Sequence, residues 1–253
     1  ELADNYGSIA PASLGAILRS IVAMEQQGAS TFFGEPSFDV EDLLKTRDGK
    51  GVVNIFRVDD IQNKPNLFST FMLSLFAEIY MTFPEEGDSG RPKLVLFIDE
   101  AHLIFNEASK ALLSQIETMV KLIRSKGIGI YFITQIPGDV PENILSQLGL
   151  KIQHALRGFT AKDRKEIDKA VENYPITEFY KANELIQNLG IGEAFVTALD
   201  EKGIPTPLVQ TYLISPESRM DVLTSSEIDE LTNNSSLVRK YEQTIDKESA
   251  YEI

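Results

Sequence analysis

The chain has 253 residues, of which 43% are hydrophobic and 25% charged, a composition typical of a globular protein and not of a disordered chain. Its 24 basic and 38 acidic side chains give a net charge of −14, which disfavours nucleic-acid binding through overall charge but leaves a local basic site open. Cysteine is absent, which excludes disulfides, thiol nucleophiles and Cys-ligated metals. With no signal peptide at its start, the sequence predicts a cytoplasmic protein.

The first 60 residues predict two helices followed by a strand. Apolar residues at near-helical spacing predict a helix over residues 11–27. Asp39 is predicted to cap a short helix over residues 40–45. The apolar run at residues 52–56, VVNIF, predicts a buried strand.

The rest of the chain predicts strands that alternate with helices. The helices are expected over residues 67–83, 107–126 and 161–171, and the strands over residues 94–98, 128–133, 151–156, 196–199 and 209–214. The helix at residues 67–83 is slightly short for a membrane span and carries Glu78 near its middle, so we expect a core helix and no membrane partner. The alternation predicts an α/β fold with a mostly parallel sheet.

Composition divides the chain into three expected parts. Residues 1–48 form a helical lead-in segment, and residues 49–214 form the core with its alternating strands and helices. Residues 215–253 are more polar and form a C-terminal helical tail, which is expected to be helical but loosely packed over residues 223–253.

Two adjacent acids, Asp99 and Glu100, directly follow the apolar run at residues 94–98. Acids at that position lie at the carboxyl edge of a parallel sheet, where α/β proteins bind ligands. In nucleotide hydrolysis one such acid holds Mg²⁺ and the next deprotonates the attacking water. The pair therefore has the form of a Walker B motif with a catalytic Glu, and the alternative is a strand end that acids happen to cap.

Thr134 and Gln135 follow the next predicted strand, one strand–helix unit after the two acids. A polar pair at that edge could contact the γ-phosphate or the attacking water, as a sensor does. The alternative is that both residues are ordinary polar caps of a strand end.

Two arginines, Arg124 and Arg157, are candidates for an arginine finger that reaches a neighbouring subunit's nucleotide. Arg124 ends the helix before the Thr134 strand, so a favourable cation at a helix C-terminus is the alternative. Arg157 follows the strand at residues 151–156, and a surface salt bridge is its alternative.

The phosphate-binding motif GxxxxGK[ST] does not occur in the 253 residues. Either the protein is not an ATPase, or this segment is encoded before residue 1, which the missing initial Met favours. The two histidines, His102 and His154, have no acid cluster that would complete a metal site around both, and His154 is expected to be structural.

Three segments together resemble the HerA/FtsK group of P-loop ATPases, in particular bacterial HerA-like proteins of the YjgR type. The segments, in family order and spacing, are KLVLFIDEAHLIF, IRSKGIGIYFITQIPGDVPENILSQLG and KIQHALRGFTAKDRK. The resemblance covers about residues 5–214 and extends to the string IGEAFVTALDEKG.

The resemblance implies a RecA-like motor core, incomplete on its N-terminal side, that binds ATP and Mg²⁺ and assembles as a hexameric ring. Asp99 falls on the Walker B acid, Glu100 on the catalytic Glu and Gln135 on the sensor, while Arg124 and Arg157 fall where arginines reach across subunit interfaces. HerA relatives translocate on double-stranded DNA, often with a nuclease partner. The expected function is ATP hydrolysis coupled to ring-type motor action, and the alternative is a non-catalytic assembly or binding module derived from a P-loop ATPase.

Overall fold

The computed structural model describes residues 10–29, 39–61, 63–87, 90–105, 108 and 110–242. The helices are α1 (Pro11–Gln26), α2 (Pro65–Thr82), α3 (His102–Phe105), α4 (Lys110–Leu122), α5 (Glu142–Leu145), α6 (Ala161–Glu172), α7 (Ala182–Leu185), α8 (Ser225–Asn234) and α9 (Ser236–Tyr241). The strands are β1 (Thr46–Arg47), β2 (Lys50–Gly51), β3 (Leu94–Ile98), β4 (Ile128–Phe132), β5 (Lys151–Gln153), β6 (Glu193–Thr197) and β7 (Val209–Tyr212). Short 3₁₀ turns cover Val40–Leu44, Ile123–Lys126 and Pro137–Asp139.

The helix ends follow local chemistry that the sequence shows. Asp39 caps the 3₁₀ turn Val40–Leu44 by accepting a hydrogen bond from the Glu41 N–H, as predicted. Thr160 and Asp163 form a reciprocal capping box at the start of α6. Gly127, at φ 71°, ends the turn that follows α4, because glycine adopts the left-handed conformation without a steric penalty.

The described strands form three small sheets, so the fold is mixed α/β. Strands β3 and β4 are neighbours and run parallel, because Lys93 N–H donates to Gly127 O at their start and Ile133 N–H donates to Ile98 O at their end. In contrast, β5, β6 and β7 form an antiparallel sheet, as β1 and β2 do. The predicted mostly parallel sheet is therefore wrong for the described residues. The difference arises after β5. Helices α6 and α7 return the chain so that β6 runs antiparallel to β5, and β7 then pairs antiparallel with β6.

Residues 52–56, predicted as a buried strand, form no strand. Val53 is 87% exposed and Ile55 is 80% exposed. An apolar run becomes a buried strand only where a neighbouring strand satisfies its backbone groups, and no described strand pairs with this one. In β3, Phe97 is 66% exposed and stacks on Tyr131 with ring centroids 4.7 Å apart.

The chain separates into two compact units. The first comprises the described residues up to Phe97, Leu103–Tyr131 and the residues from Ser225 onward. Its core is built on α2, which packs against α4 and against the turn Val40–Leu44. The side chains that α2 buries are Leu67, Phe68, Ser69, Met72, Leu75, Phe76 and Ile79. The apolar run at residues 67–83 is therefore a core helix, as predicted.

Among the described residues, no helix has the length and apolar character needed to cross a membrane.

The second unit comprises Ile98–His102 and Phe132–Thr224. Its hydrophobic core joins helices α6 and α7 to the antiparallel sheet through the buried residues Ile167, Ile186, Leu189, Phe195 and Leu208. Tyr180 stacks on Phe195 with ring centroids 5.7 Å apart and donates its hydroxyl hydrogen to Leu208 O at 2.6 Å. The domain boundaries predicted near residues 48 and 214 remain predictions.

The C-terminal helices α8 and α9, both fully described, contain no buried residue, yet polar contacts anchor α9 within the first unit. Asp42, only 4% exposed, accepts from Lys240 Nζ at 2.7 Å and from the Tyr241 hydroxyl. Lys45 Nζ lies 2.5 Å from the same carboxylate, and the Asp39 N–H donates to the Tyr241 oxygen at 2.9 Å. The predicted loosely packed tail is therefore held at α9, and its residues from 243 onward lie outside the described part.

The Asp42 contacts make the attachment of α9 dependent on pH. Hydrogen bonds from Lys240, Lys45 and Tyr241 hold the pKa of Asp42 well below its usual 3.8, and the Asp42 carboxylate raises the pKa of Lys240 above its usual 10.5. The contribution of Asp42 to stability is present above the unfolded-state value and is lost as pH falls through the lowered pKa. The contribution of Lys240 is present below its unfolded-state value and is lost as pH rises through the raised pKa.

We therefore expect Asp42→Asn to loosen α9 at neutral pH, because the neutral amide cannot balance Lys240. Trypsin should then cleave after Arg239 or Lys240 about tenfold faster than in the unmodified chain, since local opening controls cleavage. The matched control is Asp229→Asn, which removes an exposed acid of α8 and should leave the cleavage rate unchanged. Equal cleavage rates in the Asp42 variant and the unmodified chain would show that the carboxylate does not anchor α9.

Candidate functional site

The site is built on a turn that follows β3. Glu100 has φ 49°, the left-handed conformation, which costs a residue with a Cβ about 1–2 kcal/mol. Ile133, just after β4, accepts from the Ala101 N–H and donates to Ile98 O, each at 2.9 Å. The end of β4 thus holds both sides of the turn and fixes Asp99 and Glu100 beside the residues that follow β4.

The structure brings Glu100 and Gln135 together. Gln135 Nε2 donates to Glu100 Oε1 at 3.2 Å, although 35 residues separate the two in sequence. The second carboxylate oxygen, Oε2, is enclosed, and His102 Nδ1 lies 3.1 Å from it. No hydrogen bond with standard geometry reaches Oε2 from the described residues, so the His102 contact is a close approach at ion-pair distance.

Sequence reasoning considered His102 only as a metal ligand and missed its place beside Glu100. The available signal was spacing, since His102 stands two residues after Glu100 at the start of α3. The left-handed conformation of Glu100 affects the direction of its side chain on this turn, where His102 Nδ1 lies 3.1 Å from Oε2.

Asp99 lies on the same turn with its carboxylate facing solvent. Its Oδ1 accepts from the Glu100 N–H at 3.0 Å, which fixes the side chain against its own backbone. Thr134 is directed elsewhere, because its hydroxyl donates to Asp139 Oδ2 at 3.0 Å within the turn Pro137–Asp139. The structure therefore brings Gln135 to Glu100 but does not bring Thr134 there.

The two candidate arginines have different surroundings. Arg157 donates from Nη2 to Leu189 O at 2.8 Å and from Nη1 to Gln187 O. Its guanidinium therefore binds two backbone carbonyls of the segment that follows α7. Arg124 is exposed in the 3₁₀ turn after α4 and belongs to the first unit.

The acids near the turn could bind a magnesium ion together with substrate phosphates. They do not form a metal site made of protein ligands alone. Within the described part of the chain, no three His, Asp or Glu side chains are grouped closely enough to hold a metal. Magnesium usually keeps several waters and is bound by one or two carboxylates together with substrate phosphates. Asp99, whose side chain is exposed, is an acid of this turn that could contribute one carboxylate to such a site.

A family model described as "Helicase HerA-like C-terminal" matches residues 1–253. The chain belongs to this HerA-like family. This confirms the resemblance drawn from the Asp99, Gln135 and Arg157 segments. No curated protein matches the chain.

Solved structures give more distant likenesses to this HerA-like chain. The genome packaging NTPase B204 of Sulfolobus turreted icosahedral virus 2, in complex with AMPPCP, is 18% identical over 73% of this chain and 75% of B204, with a TM-score of 0.42. The DNA-packaging ATPase B204 of Sulfolobus turreted icosahedral virus gives 18% identity over 73% and 76%, with a TM-score of 0.44. VirB4 of Thermoanaerobacter pseudethanolicus gives 19% identity over 64% of this chain and 41% of VirB4, with a TM-score of 0.47. Since all three TM-scores are below 0.5, the family assignment rests on the family model.

Proposed function

We propose that this HerA-like chain supplies the hydrolytic half of an ATP site, with the phosphate-binding loop contributed from outside the 253 residues. The observation that carries the proposal is the Glu100 carboxylate, held by Gln135 where two parallel strands end. A carboxylate at that edge, oriented by a neighbouring amide, suits a general base for water.

In the proposed reaction, Glu100 takes the proton of the water that attacks the γ-phosphate. Gln135 orients the Glu100 carboxylate through Oε1 and can present its amide to the water or the phosphate. Asp99 would hold Mg²⁺, which when bound neutralises charge on the β- and γ-phosphates. The role proposed for Thr134 as a nucleotide contact requires its hydroxyl to leave Asp139.

The proposal extends to a ring in which an arginine of one subunit reaches its neighbour's nucleotide. Both candidate arginines are exposed, but the Arg157 guanidinium donates to two carbonyl groups of its own chain, so Arg124 suits this role better. A hexamer, coupling to DNA translocation and a nuclease partner are proposed from the HerA-like family alone. With a net charge of −14, DNA contact would require a local basic surface.

The second candidate is a non-catalytic assembly module derived from an ATPase. The observation that favours it is the absence of GxxxxGK[ST] from the 253 residues, because backbone N–H groups and the Lys of that motif hold the phosphates.

We expect residues 1–253 alone to release no phosphate from ATP above background, and a longer form that carries a phosphate-binding loop to turn over ATP. The assay is phosphate release with Mg²⁺, with Glu100→Gln of each form as the matched control. Turnover by residues 1–253 that Glu100→Gln removes would reveal an unrecognised phosphate loop inside the chain. A loop-bearing form that binds ATP without hydrolysing it would favour the assembly module.

A further inference from the structure

We propose that His102 is a positioning residue that fixes the carboxylate of Glu100. This inference rests on the proposed function, in which Glu100 is the base. Both carboxylate oxygens of Glu100 have a neighbour, Gln135 Nε2 at 3.2 Å from Oε1 and His102 Nδ1 at 3.1 Å from Oε2. The two contacts involve different oxygens of the carboxyl group, and together they would restrain its orientation.

The enclosure of Oε2 gives the His102 contact its importance. This oxygen is buried, so solvent does not satisfy it, and a buried polar atom without a partner is costly. The nitrogen of His102, whose side chain is 29% exposed, is the polar group that stands at hydrogen-bond distance from it. The proposal requires the Nδ1–H to align with this oxygen, which would give the buried lone pair its partner.

The chemistry of the contact assigns the proton on His102. An ionised carboxylate only accepts hydrogen bonds, so Nδ1 must carry the hydrogen that faces Oε2. A neutral ring protonated on Nδ1 is sufficient, and the contact therefore does not require a charged imidazole. Glu100 has three rotatable side-chain bonds, and its left-handed backbone gives the side chain an uncommon direction. Among the described residues, Gln135 is the side chain that would still hold the carboxylate without His102.

Misplacing a reacting group by about 1 Å can cost about 10²-fold in rate. We therefore expect His102→Ala, in a form of the protein that hydrolyses ATP, to lower kcat by about 10- to 10²-fold with little change in KM. His102→Asn should restore most of kcat, because its amide N–H can occupy the position of Nδ1. A merely structural role for His102 would predict similar losses in both variants.

A spectroscopic test needs no ATP hydrolysis and uses residues 1–253 as they stand. The chain has two histidines, and each has Nδ1 beside an acceptor, His102 facing Glu100 Oε2 and His154 facing Glu193 O at 3.2 Å. The ¹⁵N chemical shifts of the two rings report which nitrogen is protonated. We expect both to be protonated on Nδ1 when neutral, and Glu100→Ala to change the His102 tautomer while leaving His154 as the internal control.

The two measurements separate this inference from the proposed function. An unchanged His102 tautomer in Glu100→Ala would overturn the contact, whether or not the protein hydrolyses ATP. Unchanged kcat in His102→Ala, in a protein that Glu100→Gln inactivates, would overturn the positioning role while the proposed function stands. If Glu100→Gln remains active, the proposed function fails and the positioning role fails with it, while the tautomer result still decides whether the contact exists.

Discussion

Glu100→Gln is expected to lower ATP turnover by at least about 10²-fold in the loop-bearing form, while ATP affinity stays within about twofold. The amide keeps the size of the carboxylate and can still hold a water molecule through its oxygen. The amide cannot accept the water's proton, so only the rate of the chemical step is expected to fall. Gln135 can still donate to the amide oxygen, which preserves the contact that orients the side chain. Steady-state phosphate release and an ATP titration measure the two quantities.

A matched control for this variant is Glu142→Gln, which makes the same chemical change at an exposed position of α5. We expect its turnover to equal that of the unmodified protein. Equal losses in both variants would mean that the effect of Glu100→Gln comes from lost charge and not from a lost base.

Phe195→Ala is expected to destabilise the second unit by about 3–5 kcal/mol, the usual cost of deleting a fully buried aromatic ring. Phe195 has 0% exposure and lies among Ile167, Ile186, Leu189 and Leu208. Its removal also takes away the stacking partner of Tyr180. Urea unfolding, followed by a probe within the second unit, measures the change in the free energy of unfolding.

The control for the core variant is Phe179→Ala, because Phe179 is 86% exposed and belongs to the same unit. Its free energy of unfolding should stay within about 0.5 kcal/mol of the unmodified chain, as is usual for surface substitutions. A loss of less than about 1 kcal/mol in Phe195→Ala would contradict the core described for this unit.

Local sequence signals predicted several helices and helix ends well. The capping residue Asp39, the apolar run of α2 and the terminal Gly127 all act over a few residues, so the sequence shows them directly. The pairing of Glu100 with Gln135 could also have been predicted from the sequence, because each residue follows an apolar strand and parallel strands end at the same edge of a sheet.

Long-range pairing could not be predicted in the same way. Residues 52–56 have the composition of a buried strand, but whether they pair depends on a neighbour that their own sequence does not specify. The direction of β6 depends on how α6 and α7 return the chain, and the anchor of α9 joins Asp42 to Lys240 across 198 residues. The contact of His102 with Glu100 was missed because it depends on the left-handed backbone of Glu100, which the two-residue spacing alone does not predict.

The most direct test of Glu100 as the base is a single-turnover experiment on the loop-bearing form, with enzyme in excess over radiolabelled ATP. This measurement isolates hydrolysis from product release. The unmodified protein should convert its bound ATP to ADP, whereas Glu100→Gln should bind the nucleotide equally and keep it as ATP. Conversion of bound ATP at the same rate in both proteins would contradict the assignment of Glu100 as the base.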